Sequence, residues 1–96
     1  MLQEKYKRQL LEIIHKRVPQ STVYLFGSRA TNAETAGSDI DLAIDTGRPI
    51  AYQTIIKIQC DIDETTIPLN VDIVDLQTVP ASLKETILRE GIKWTN

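Results

Sequence analysis

The sequence predicts a small α/β domain in which helices pack on a sheet of three or four strands. Three observations carry this expectation: apolar residues at helical spacing, short β-branched runs between those stretches, and Gly or Pro at most junctions.

Tyr6, Leu10, Ile13, Ile14 and Val18 recur at spacings of three and four, which places them on one face of a helix from about Leu2 to Arg17, stopped by Pro19. Thr22-Val23-Tyr24-Leu25-Phe26 is rich in strand formers and too short for a helix, so it predicts a buried strand ending at Gly27. Ser28 to Ser38 is small and polar without core periodicity and is expected to form a short helix followed by a loop. Asp39-Ile40-Asp41-Leu42-Ala43-Ile44-Asp45 alternates acidic or small residues with large aliphatic ones. Ile40, Leu42 and Ile44 therefore share one face of a second strand, and its acids share the other. After the turn Thr46-Gly47-Arg48-Pro49, the residues Ala51, Tyr52, Ile55, Ile58 and Ile62 predict a helix of roughly three turns. The acidic, polar stretch from Asp61 to Pro68 is expected to be a loop. Asn70 to Asp75 predicts a third strand, Pro80 or Ser82 opens a last helix carrying Leu83, Ile87 and Leu88, and Gly91 stands at its C-terminal cap. Ile92-Lys93-Trp94 is placed as a short edge strand.

Composition narrows the function. A chain of 96 residues is expected to be one domain over 1–96, because single cores organise at around 100 to 150 residues. With 42% hydrophobic and 25% charged residues it has the material for a core. Eleven Lys+Arg against thirteen Asp+Glu give a net charge of -2, the wrong sign for a protein whose main work is neutralising a nucleic-acid backbone, so no direct nucleic-acid binding is expected. No apolar run approaches the roughly 20 residues that cross a bilayer, and the N-terminus lacks the apolar segment of a secretory signal. The expected setting is cytoplasmic, without a membrane. One cysteine, Cys60, and one histidine, His15, cannot assemble a zinc cage. Both are expected to be structural, with Cys60 a small core or helix residue and His15 exposed. Any chemistry must use carboxylates, hydroxyls, backbone amides or hard cations.

Three features converge on such chemistry. Gly27-Ser28 directly follows a strand and is expected to open a helix, whose backbone N–H groups and serine hydroxyl would face an anion such as phosphate. Ten residues later come Asp39 and Asp41, at i and i+2 on one strand, with Cα atoms about 7 Å apart and side chains on one side. Asp72, flanked by Val71 and Ile73, reads as a buried carboxylate that needs a partner. If its strand lies beside that of Asp39 and Asp41, the three acids cluster, and Mg2+ suits an all-oxygen site of this kind.

Gly27-Ser28, the ten-residue interval, Asp39-x-Asp41 and the later strand acid Asp72 resemble the signature of the polymerase beta-type nucleotidyltransferase superfamily. The runs Phe26-Gly27-Ser28-Arg29-Ala30, Gly37-Ser38-Asp39-Ile40-Asp41-Leu42 and Val71-Asp72-Ile73-Val74-Asp75-Leu76, with the ending Ile87-Leu88-Arg89-Glu90-Gly91, are similar to the minimal nucleotidyltransferases of bacteria and archaea. The resemblance covers nearly the whole chain and implies the polymerase beta-like fold. It implies Asp39, Asp41 and Asp72 as Mg2+ ligands and catalytic acids, Asp72 also helping to deprotonate the acceptor hydroxyl. It implies Gly27 and Ser28 on the β and γ phosphates of ATP, and Arg29 offsetting phosphate charge. Where the family often has Arg-Gly, this chain has Thr31-Asn32. The activity implied is transfer of AMP from ATP to a hydroxyl, with a tyrosine of a HEPN-type helical toxin as acceptor in a toxin–antitoxin pair. An exposed apolar helix patch including Trp94 is the expected dock.

The alternative is a non-catalytic antitoxin or binding subunit that keeps the fold and neutralises its partner by covering it. A small-molecule transferase would need an acceptor pocket for which the chain is short. Asp61-x-Asp63-Glu64 resembles a calcium loop but has Thr66 where glycine is required, and it is read as solvated loop. Asp45 and Asp75 are read as surface or capping acids.

Overall fold

The computed structural model describes residues 4–31 and 37–94. In chain order the elements are α1 (Glu4–Arg17), β1 (Thr22–Phe26), one 3₁₀ turn (Gly27–Arg29), β2 (Ile40–Asp45), α2 (Tyr52–Asp63), β3 (Val71–Asp75), α3 (Ala81–Glu90) and β4 (Ile92–Lys93). The strands form one sheet in the order β3-β2-β1-β4. β1 is antiparallel to both β2 and β4, whereas β2 and β3 run parallel. Parallel neighbours cannot be joined by a hairpin, and α2 supplies the crossover between them.

The alternation of β2 sorts its side chains as expected. Ile40, Leu42 and Ile44 join Val23, Leu25 and Val71 in the main core, against Leu10 and Ile14 of α1 and Ile58 and Ile62 of α2. On the other face a smaller cluster of Ala43, Leu76 and Ile87 forms beneath α3, with Tyr24, Phe26, Val74 and Leu83 packed around it. Ile58→Ala, at a fully buried position, is expected to lower unfolding free energy by about 2–5 kcal/mol. Ile56→Ala, on the exposed side of the same helix, should stay within about 0.5 kcal/mol of the parent. Urea titration followed by circular dichroism checks both.

Three expectations about packing need correction. α2 continues through Asp63, so Asp61 is helical rather than loop. The reason is tertiary: Arg17 of α1 donates from Nε and Nη2 to the two Asp61 oxygens at 2.7 and 3.3 Å, fastening the last turn of α2. This partner also holds the Asp61 carboxyl below the usual carboxylate range, chiefly through the hydrogen bond from Arg17. Cys60 is a helix residue, the second of its two expected places, and is exposed on α2. His15 is half-buried, with Nε2 3.3 Å from the Ser21 carbonyl. Trp94 packs against the main core and lies under the Lys7 ammonium, 5.9 Å from the ring centre, so it is not an exposed anchor. Large apolar side chains that do face solvent are Tyr52, Ile56, Leu88 and Ile92. The first-helix expectation at Leu2, and those for residues 32–36, lie outside the described residues.

Gly91 ends α3 with its N–H donating to the Ile87 carbonyl at 2.8 Å. Its backbone is ordinary extended chain at φ -70, so space is what demands glycine. A Cβ here would collide with the Ile87 carbonyl and approach the Leu25 carbonyl to 3.2 Å.

Candidate functional site

The end of β1 and the start of β2 bring the sequence motifs together. Gly27 follows Phe26 at φ +78, a left-handed conformation that glycine adopts without penalty. The chain then closes a single 3₁₀ turn, with Ala30 N–H donating to Gly27 O at 3.1 Å and Thr31 N–H to Ser28 O at 3.3 Å. Gly27-Ser28 thus opens a helix as expected, but a single 3₁₀ turn, which has no extended macrodipole. Any anion would meet the local N–H groups and the half-buried Ser28 instead. Thr31 turns its hydroxyl back on the Gly27 and Ser28 carbonyls, both at 3.4 Å. Asn32 lies outside the described residues.

Strand register assembles the acids. Phe26 of β1 stands opposite Asp41 of β2, and Asp41 stands opposite Asp72 of β3, so the three positions form one row across the sheet. Asp41 and Asp72 lie on the α3 side, because Leu42 and Val71 beside them point into the main core. Asp39 precedes β2 by one residue and, like Asp72, is exposed. Exposure of Asp72 corrects its expected burial. β3 is an edge strand, so its carboxylate keeps water and has no need of a buried partner.

Asp41 is the strained member. A Cβ added to Gly27 would lie 2.6 Å from Asp41 Oδ2, so the glycine turn and this carboxylate are in direct contact. Burial first, then Asp72, then Asp39 push the Asp41 carboxyl above the usual carboxylate range. A carboxyl raised in the fold takes up a proton on folding. Its stabilising contribution is therefore present at acid pH and is lost as pH rises through the raised value. Asp41→Asn is accordingly expected to melt above the parent at neutral pH in chelator, with the gap closing as pH falls into the ordinary carboxylate range. Melts at a series of pH values check the sign.

Among the described residues no three His, Cys, Asp or Glu side chains are gathered tightly enough to hold a metal ion. The acids thus stand within electrostatic reach of one another without forming a closed cage. Their chemistry nonetheless fits a hard divalent cation: every donor is a carboxylate oxygen, and each influence acting on Asp41 is one that a positive charge would relieve.

Arg29 turns inward. It is only 7% exposed, and its Nε and Nη2 both donate to the Ser38 carbonyl, at 3.1 and 2.9 Å. The contact joins the turn to the residue just before Asp39, a link for which the sequence offers no signal beyond the adjacency of Ser38 and Asp39. Asp45 and Asp75 act at the other end of the sheet. Asp45 accepts the Gly47 N–H at 2.8 Å and the Gln77 side-chain amide at 2.9 Å. Asp75 is buried rather than on the surface, and accepts the Ile50 and Gln77 N–H groups at 2.7 and 3.0 Å. Clefts of 330 and 480 Å³ open beside Arg17 and Arg48 and beside Tyr52 and Val79, and neither is lined by Asp39, Asp41 or Asp72.

Residues 8–94 match the family described as Polymerase beta, Nucleotidyltransferase. Over 75 residues the chain is 32% identical to a probable protein adenylyltransferase, MntA, of Haemophilus influenzae, across 78% of this chain and 66% of that protein. It is 26% identical over 87 residues to a putative protein adenylyltransferase of Methanocaldococcus jannaschii, across 90% of each. The fold superimposes on a toxin–antitoxin crystal structure with AMP-PNP, with TM-score 0.80 and 20% identity, over 94% of this chain and 73% of that one. It also superimposes on the complex of a tri-AMPylated Shewanella oneidensis HEPN toxin with its MNT antitoxin, with TM-score 0.70 and 20% identity, over 99% of this chain and 73% of that one.

Proposed function

The chain belongs to the polymerase beta nucleotidyltransferase family, and on that premise we propose that it transfers AMP from ATP to a hydroxyl, the tyrosine of a HEPN-type toxin partner. The observation that supports this most directly is the row in which Asp41 meets Asp72 on one side and the Gly27 turn on the other. Relatives named as protein adenylyltransferases, and the AMPylated HEPN toxin found with a protein of this fold, support the choice of group and acceptor.

The reaction is an in-line displacement. The acceptor oxygen forms a bond to the α-phosphorus, the bond from that phosphorus to the bridging oxygen breaks, and pyrophosphate leaves with the electron pair. Asp72, exposed and in water, accepts the hydroxyl proton. Gly27 and Ser28 offer backbone N–H groups and a hydroxyl to the β and γ phosphates, the glycine allowing close backbone approach. Asp39, Asp41 and Asp72 would hold Mg2+, which would supply positive charge against the triphosphate and the developing charge of the displacement. The setting proposed is the cytoplasm, where ATP is abundant. Among the described residues no helix is long and apolar enough to cross a membrane.

Purified protein incubated with its HEPN-type partner, ATP and Mg2+ tests the reading through the intact mass of the partner. Addition of one or more adenylyl groups on tyrosine is the expected result. A partner that is neutralised in the complex without any gain in mass would replace the transferase reading with the binding-subunit one.

A further inference from the structure

We propose that Arg29 is a positioning residue for Asp39, acting through the Ser38 carbonyl rather than on the phosphates; this rests on the transferase reading of the acid row. Asp39 lies just outside β2, which begins at Ile40, and so lacks the strand pairing that holds Asp41 on both sides. Two fastenings flank it instead. Before it, both the Nε and Nη2 groups of Arg29 grip the Ser38 carbonyl oxygen. After it, the Ile40 N–H donates to the Asn70 carbonyl at 2.8 Å, on the β3 side. The peptide units on either side of Asp39 are thus tied in opposite directions, to the glycine turn and to the approach to β3.

Burial makes the first tie a firm one. At 7% exposure the Arg29 side chain has little room to swing toward a ligand, and two donors on one oxygen fix the guanidinium plane. Among the described residues Arg29 forms no ion pair. A buried guanidinium that holds the backbone beside a carboxylate with two donors is placed to orient. Groups that hold a metal ligand in place commonly matter to metal affinity about as a ligand does.

The sign of one measurement separates this role from a phosphate contact. Removing a cation near three carboxylates would, by charge alone, leave divalent-ion binding unchanged or strengthen it, and would weaken ATP. Losing a clamp on Asp39 weakens the divalent ion first. The experiment titrates Mn2+ into wild type, Arg29→Met and Arg29→Lys without nucleotide, following the free-ion EPR signal, and then measures KM and kcat for ATP at saturating Mg2+. Mn2+ binding is expected to weaken about tenfold or more in Arg29→Met, within the roughly 10- to 100-fold range for groups behind a metal ligand. KM for ATP should stay within about twofold, as expected when the lost interaction is not with the nucleotide. Arg29→Lys keeps the charge and loses the planar fork, so it should follow Arg29→Met. It also carries the test if Arg29→Met does not melt cooperatively.

Unchanged or tighter Mn2+ binding with a raised KM for ATP would overturn the proposal in favour of a phosphate contact. Wild type that binds no Mn2+ overturns it as well. A wild type that binds Mn2+ in this Arg29-dependent way but transfers no AMP would defeat the transferase reading and leave the clamp standing.

Discussion

Replacing Asp39 and Asp41 together by asparagine is expected to reduce AMP transfer at least ~10³-fold, equivalent to about 4 kcal/mol of transition-state stabilisation. Asparagine keeps the volume and shape of aspartate and removes the charge, so the sheet is left as it is while the site loses two of its three anionic oxygen pairs. Removing even one preorganised electrostatic group from an active site costs about 10²- to 10³-fold. Unfolding offers no other explanation of inactivity. Asp41 is disfavoured as an anion by burial and by its two acidic neighbours, so the double variant should melt at or above the parent temperature in chelator. Transfer of label from α-labelled ATP to the partner, with a melt on the same samples, gives both numbers. A residual rate within about tenfold of the parent would show that these carboxylates do not carry the chemistry, since one tenfold step is only about 1.4 kcal/mol.

Gly27→Ala should be the most damaging single methyl group that can be added near the site. Its φ of +78 costs an L-residue about 1–2 kcal/mol, and this part of the effect falls on stability. The second part falls on function. The new Cβ would stand 2.6 Å from Asp41 Oδ2, and the carboxylate is the movable party, so Asp41 must turn away from its place in the row. A displacement on the order of 1 Å can cost about 10² in rate, and that is the expected loss. Gly91→Ala is the matched control. There the intruding methyl meets the Ile87 and Leu25 carbonyls, so it should destabilise the end of α3 and leave kcat in place. Equal losses of kcat in the two variants would mean that Gly27 matters only to folding.

Local sequence shows faces well and neighbours badly. The period-two pattern of β2 left one consistent arrangement, with Ile40, Leu42 and Ile44 inside and the acids opposite, and the sheet has that arrangement. The family resemblance marked Asp39, Asp41 and Asp72 as a set. Side-by-side placement of Asp41 and Asp72, however, follows from parallel pairing through α2, which no short window of sequence contains. Asp72 reads as buried because Val71 and Ile73 flank it, but burial of a strand residue depends on what covers its face, and β3 is at the edge. By the resemblance Arg29 reads as a cation that offsets phosphate charge. Its target is a backbone carbonyl nine residues on, and a carbonyl is present at every position, so it leaves no trace in residue identity. Asp61 is similar: its contact is with Arg17, a residue from a different helix.

The parallel pairing of β2 with β3 also has a consequence for the lifetime of activity. During synthesis the glycine turn and the first two acids emerge well before the third, and the row cannot close until α2 has packed and carried β3 into register. Long-range pairing of this kind forms late and is lost with the global structure rather than by local fraying. A cell that degrades the unfolded chain therefore withdraws the whole acid row at once. The lifetime of the row would be set by the unfolding equilibrium of a small sheet rather than by wear at the site.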